Sequence, residues 1–282
     1  MKNYVFTWIA ILLLLTFEYW AITFYPSLSI LLKIQSLGII SSTVNLNTKT
    51  GRPLSLWLGY IGFGLMVIMN IYSMRKRYSF MQNYGSLKSW LNFHIFCGLV
   101  GPTMILFHCN LKVRGIVGIS FWSMVVSFSS GIIGRYFYVQ MLNFKSDYDN
   151  LSEQFLKKLE KTIETQKLNI PQETRARVIM NSLLFAGAQP SQATVNPISA
   201  LYTSIMGDLR MVFSDFNVPR DWPISSKFYL INYAINKRKS QFLEPYQRLM
   251  GYWHAFHFPF AVFMYIAAVI HIISSLMFLN VR

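Results

Sequence analysis

The chain has 282 residues, 53% of them hydrophobic and 13% charged, about half the charged share of an ordinary soluble domain. So much apolar surface excludes a single water-soluble core and makes a bilayer the natural second solvent. The formal net charge of +15 does not point to nucleic acid, because the basic residues cluster beside apolar runs, where anionic headgroups and the positive-inside bias account for them.

Five runs reach the roughly 20 apolar residues that a membrane helix needs: about 4–24, 54–72, 90–109, 116–138 and 250–279. The first begins with Met1-Lys2 like a signal peptide, but no A-x-A-like site follows it, so it is expected to stay as an anchor span. Residues 26–41 are apolar but interrupted by Lys33 and Gln35, which predicts an interfacial or re-entrant piece. Glu18, the only acid outside 147–244, is expected to be an interfacial carboxylate reaching headgroup water, with proton uptake or quinol contact as the functional alternative.

The other ten acids lie between Asp147 and Glu244 and mark a polar insert over 145–249. Leu151, Phe155, Leu159 and Ile163 recur every fourth residue, which predicts an amphipathic helix. Asn169-Ile170-Pro171 should end it. A second helix is expected over 172–187 and a third over 198–214, with Pro190 and Pro197 breaking the chain between them. The organisation is thus an N-terminal anchor helix and interfacial segment (1–53), three spans (54–144), the insert (145–249) and a last span (250–282).

Charge sets the expected orientation. The short loop after the second span carries Arg75, Lys76, Arg77 and Lys88, and the insert brings Lys145, Lys237, Arg238, Lys239 and Arg248. Both should face the cytoplasm, with the N-terminus inside and Arg282 outside.

All five histidines lie on the third and fifth spans. His94 and His108 are 14 residues apart, and so are His257 and His271. Fourteen helical residues advance about 21 Å and return to within about 40° of the starting direction. Each helix therefore shows two imidazoles on one face, one toward each side of the bilayer. The two helices run in the same direction, so His94 can pair with His257 and His108 with His271, as two bis-imidazole haem irons would require. A proton relay and a non-haem metal site are the competing readings, although a zinc site would want a compact four-ligand cluster. His254 falls about 100° off the face of His271. It reads as an interfacial residue beside Tyr252 and Trp253, with propionate pairing or ligation of the inner haem as alternatives. Gly98, Gly101, Gly131 and Gly134 are candidates for close helix or cofactor approach. Cys97 and Cys109 belong to no C-x-x-C-H motif, so covalent haem is not expected. Twelve residues apart on one helix, they are too distant for a mutual disulfide.

The stretches HIFCGLVGPTMILFH (94–108) and HFPFAVFMYIAAVIH (257–271) resemble the ferric reductase-like transmembrane domain, the di-haem module of ferric reductases, NADPH oxidases and bacterial haem-binding membrane subunits. The resemblance covers the second to fifth spans. It implies two haem b groups with His94, His108, His257 and His271 as axial iron ligands, and no catalytic residue of the chain's own. Three features depart from that family: no sixth span, no flavin or nicotinamide domain or G-x-G-x-x-G fingerprint, and a far longer link between the fourth and fifth spans.

The expected fold is therefore an all-α polytopic membrane bundle with a four-helix haem-binding core and a helical cytoplasmic insert. The expected role is that of an electron-transfer subunit of a membrane oxidoreductase in a bacterial plasma membrane. Its donor would be a separate flavoprotein, an iron–sulfur protein or quinol, its acceptor extracytoplasmic, and its surroundings membrane lipid. Arg114 or Lys112 outside and Arg135, Arg77 or Lys76 inside are candidate propionate partners, with lipid headgroups as the alternative partner of each. A haem-based sensor or scaffold signalling through the insert is the alternative from another class, and a transporter using histidines as a proton path is a third. Reporter fusions test the orientation: one at residue 165 should report cytoplasm and one at the C-terminus the opposite side. Extracytoplasmic labelling at residue 165 would reverse the assignment.

Overall fold

A computed structural model describes residues 2–81, 83–113, 115–189, 195–219 and 222–279. Among them every regular element is helical. The candidate propionate partner Arg114, the break at Pro190 and the terminal Arg282 lie outside the described residues. Two compact units form, one from residues 1–131 with 257–282 and one from residues 132–256.

In the first unit, α1 (Lys2–Phe24) is followed by a 3₁₀ turn at Pro26–Leu28 and by the short α2 (Ile30–Ser36). The second apolar run divides into α3 (Pro53–Ile68) and α4 (Ile71–Arg77). It breaks at Met69–Asn70 without a proline, and the Asn70 amide turns back to donate to the carbonyls of Met66 and Val67 at 3.0 and 3.2 Å. α5 (Leu87–Cys109) starts from a Ser86 N-cap, accommodates Pro102 and ends on Asn110 in the left-handed conformation. α6 (Gly115–Gln140) and the C-terminal part of α10 (Ile224–Leu279) complete the apolar helices.

Five helical stretches are long and apolar enough to cross a membrane. They leave large apolar residues uncovered, among them Phe6, Leu13, Trp122, Ile132 and Ile273, as suits a surface facing lipid rather than water. α3 and α5 pack backbone to backbone at Gly62 and Gly101: a Cβ on Gly62 would lie 2.9 Å from the Gly101 carbonyl oxygen, and one on Gly101 3.0 Å from that of Gly62. Small residues at the crossing permit this approach where no water drives association. Gly98 meets only the Met69 sulfur, at 3.7 Å, and a Cβ on Gly131 would meet nothing within 4 Å. Neither is a close contact.

Glu18 departs from expectation. It is 5% exposed and holds the start of α2 to α1. Its carboxylate accepts from the backbone N–H groups of Ile30 and Leu31 at 3.1 and 2.8 Å, and from the Ser29 hydroxyl. Ser29 in turn caps Leu32 N at 3.1 Å. The acid thus satisfies helix-start donors that have no partner within α2. A carboxylate reaching headgroup water would make no such contacts.

The second unit contains α7 (Lys145–Thr165), α8 (Gln172–Ala186), α9 (Pro197–Phe213), the end of α6 and the start of α10. The predicted amphipathic helix buries Leu159 and Ile163 against Val178, Phe216, Trp222 and Leu230. Burial also pushes the Tyr148 hydroxyl of α7 up from its ordinary pKa, and this hydroxyl donates to the Gln140 carbonyl at 3.2 Å. α8 and α9 cross where Gly187 (φ +80°) closes α8. A Cβ there would lie 2.2 Å from the Thr203 carbonyl oxygen, and one on Gly207 2.1 Å from that of Ala186. The insert does not end in a loop before the last span: α10 runs unbroken for 56 residues.

Glu18→Ala should strand the Ser29 hydroxyl and two backbone donors and cost about 2–3 kcal/mol, read as a lower melting midpoint of the detergent-purified protein. An unchanged midpoint would mean that water replaces the carboxylate and that the contact is not structural.

Candidate functional site

Two of the four candidate ligands stand on α5 and two on the C-terminal part of α10. Their anchors are the informative part of the geometry. His108 Nδ1 lies 2.7 Å from the Ser55 carbonyl oxygen. His94 Nδ1 lies 3.0 Å from the Met69 carbonyl oxygen. A carbonyl can only accept, so both rings carry their proton on Nδ1. His257 Nδ1 lies 2.7 Å from the Ser130 hydroxyl oxygen. That hydroxyl also donates to the Ser127 carbonyl at 3.0 Å. In the neutral rings of His94 and His108 each Nε2 is then an unprotonated lone pair. An imidazole that ligates a metal through one nitrogen while the other donates to a carbonyl or similar acceptor has the same arrangement.

Local structure explains how the anchors become available. Ser55 lies in the first turn of α3, and its hydroxyl donates back to the His108 carbonyl at 2.8 Å. The imidazole reaches the Ser55 carbonyl by lying across Gly59, one turn on, where a Cβ would come within 2.6 Å of His108 Nδ1. The Met69 carbonyl is at the α3–α4 break, where Tyr72 N donates to it at 3.3 Å. The Tyr72 ring also packs 5.4 Å, centroid to centroid, from that of His94.

His108 and His271 line one cavity between α3, α5, α6 and α10. Its walls include Gly59, Phe63, Ile105 and Phe121. The pairing of His94 with His257 rests on helix register, since their anchors stand on different elements. Close to Tyr265, Asn70 Nδ2 donates to the Tyr265 hydroxyl at 2.8 Å, and that hydroxyl donates to the Met66 carbonyl. His254 is exposed, its ring 6.4 Å from that of Trp253, in keeping with an interfacial residue. Gly134 packs under Trp253, whose ring atoms would lie 2.3 Å from a Cβ there, so this glycine serves helix packing. Lys112, Lys76 and Arg77 are exposed, and the Arg135 guanidinium lies 5.2 Å above the Tyr138 ring.

The residues present suit a haem at the His108–His271 cavity on three counts: a free Nε2 on an anchored His108, a second imidazole in the same cavity, and apolar walls. The cavity measures about 120 Å³, so a porphyrin would have to displace side chains. Met66, Met124 and Met264 line it, and their unbranched thioethers repack readily. No group of three or more His, Cys, Asp or Glu side chains is placed to hold a bare metal ion among the described residues.

Fold and spans define an all-α polytopic integral membrane protein. The chain matches no protein-family model, no curated protein and no solved structure.

Gly59→Val should drive the His108 ring off the Ser55 carbonyl and cost about 1–3 kcal/mol by overpacking. Gly64→Ala, whose Cβ meets nothing within 4 Å, is the control and should leave the melting midpoint unchanged. Equal midpoints for the two variants would show that the ring does not depend on the space at Gly59.

Proposed function

We propose that the chain is a di-haem b-type membrane cytochrome of the ferric reductase-like kind, moving electrons across a membrane. The observation that carries this reading is the shared anchoring of His94 and His108 through Nδ1. Both direct Nδ1 at a main-chain carbonyl and so keep Nε2 as a lone pair, and their 14-residue spacing recurs at His257 and His271.

Haem, when bound, supplies reversible one-electron chemistry at its iron. The chain's part is to orient and to insulate. The Ser55 and Met69 carbonyls fix the ring planes of His108 and His94 and make those imidazoles more basic ligands. Phe63, Phe121 and the methionines keep water from the His108–His271 site. With an imidazole on each face, an iron would leave no open position for a substrate, which favours electron transfer over catalysis at haem. Lys112 on one side and Lys76 or Arg77 on the other are cations suited to propionates.

Electrons would enter from a separate cytoplasmic flavoprotein, an iron–sulfur protein or quinol, and leave to an extracytoplasmic acceptor. A bacterial plasma membrane with the insert in the cytoplasm is the matching location. Docking of the donor protein is the natural task of residues 145–249.

Haem content per chain, with the reduced spectrum of each variant, tests this. The wild type should carry two haem b. His94→Ala and His257→Ala should each lose the same haem, and His108→Ala and His271→Ala the other. His254→Ala should keep both. Purified protein without haem would overturn the reading. Loss of a haem in His254→Ala with both retained in His257→Ala would redraw the inner pair as His94 with His254.

A further inference from the structure

The second unit holds a cationic cavity lined by none of the four candidate histidines. Along α6, Ile132, Arg135, Tyr136, Val139 and Gln140 line it, at the i, i+3, i+4, i+7 and i+8 spacing of a single helix face. Along α10, Ile235, Arg238 and Lys239 line it from the other side, and Asp208 of α9 closes it. Three cations thus face one carboxylate, and that carboxylate is already engaged. Asp208 accepts from Arg238 Nη2 at 2.6 Å and from the Tyr136 hydroxyl at 2.7 Å. Arg238 is 2% exposed and also donates from Nη1 to the carbonyls of Ala186 and Ser204 at 2.7 and 3.1 Å. It is therefore a fixed part of the wall, and Arg135 and Lys239 are the other two cations that line the cavity.

A second observation points to a ligand. Gln140 is 4% exposed, and its amide oxygen has no hydrogen-bond partner. A buried polar group left in that state costs about 1–3 kcal/mol. The amide can turn over, so it can accept from a hydroxyl or donate to an oxyanion.

Position narrows the ligand class. The α6 face occupies the last turns of a membrane-crossing stretch that ends at Gln140, the depth at which headgroups lie. Ile132, Val139 and Ile235 give the same cavity apolar walls, which suit glycerol and the first acyl carbons but would be of no use to a small hydrophilic anion. We infer that the cavity between α6 and α10 binds a phosphate group, carried by an anionic phospholipid whose headgroup sits against Arg135 and Lys239 and whose hydroxyl meets Gln140. The inference is independent of haem.

Full-length protein in neutral detergent, titrated with short-chain phosphatidylglycerol and followed by its thermal midpoint, tests it. Short-chain phosphatidylcholine and inorganic phosphate are run in parallel. Phosphatidylglycerol should stabilise the protein at concentrations at least about tenfold below phosphatidylcholine. Arg135→Gln and Lys239→Gln should each weaken the effect about fivefold, the usual worth of one cation near an anionic headgroup. The charge-matched control Lys157→Gln, on an exposed position of α7, should not. Inorganic phosphate that reproduces the stabilisation, with the same sensitivity to Arg135→Gln and Lys239→Gln, would keep the phosphate site and make free phosphate the source. Equal response to the two lipids, or equal weakening by the α7 control, would overturn the proposal.

Discussion

A ring N–H donated to a main-chain carbonyl sets the geometry of the apolar unit. His108 to Ser55 and His94 to Met69 both tie α5 to the α3–α4 stretch, and each bond constrains three things together: the ring plane, the tautomer and the helix register. In a bilayer interior no water competes for either partner. The helix contact follows from the same demand. Gly59 and Gly62 on α3 and Gly101 on α5 bring the backbones close enough for an imidazole of one helix to reach a carbonyl of the other.

Much of this was legible in the sequence. A helix with no water-facing side shows itself by length and apolarity alone, and all five apolar runs are helical, although the second is split at Asn70 and the last is the end of a longer helix. The 14-residue spacing of His94 with His108 and of His257 with His271 was visible because helix pitch is fixed. The anchors were not, because every residue has a carbonyl and sequence says nothing of which one is reachable. Gly59 carried a faint signal, as a small residue on the neighbouring span, but only the fold shows that it lies beneath His108.

Glu18 and the length of α10 were hidden from the sequence for different reasons. A lone acid in an apolar run suggests water because its partners are assumed to be side chains. Those of Glu18 are largely the backbone donors of α2, which composition cannot display. The boundary near residue 249 followed a change of polarity, but helical hydrogen bonding is indifferent to polarity. α10 therefore continues through Pro245 and Pro259, as helices in and near membranes tolerate when neighbours satisfy the freed carbonyls.

The three imidazole anchors also differ in what inheritance can do to them. The Ser55 and Met69 carbonyls belong to the main chain, so no substitution at those positions deletes the acceptor. Drift in the side chains leaves the tautomers of His108 and His94 in place. The partner of His257 is the hydroxyl of Ser130, and a single replacement removes or alters it. Variation in the electronic character of the four imidazoles should therefore accumulate at position 130 long before it reaches the α5 pair, leaving one imidazole adjustable and two held constant.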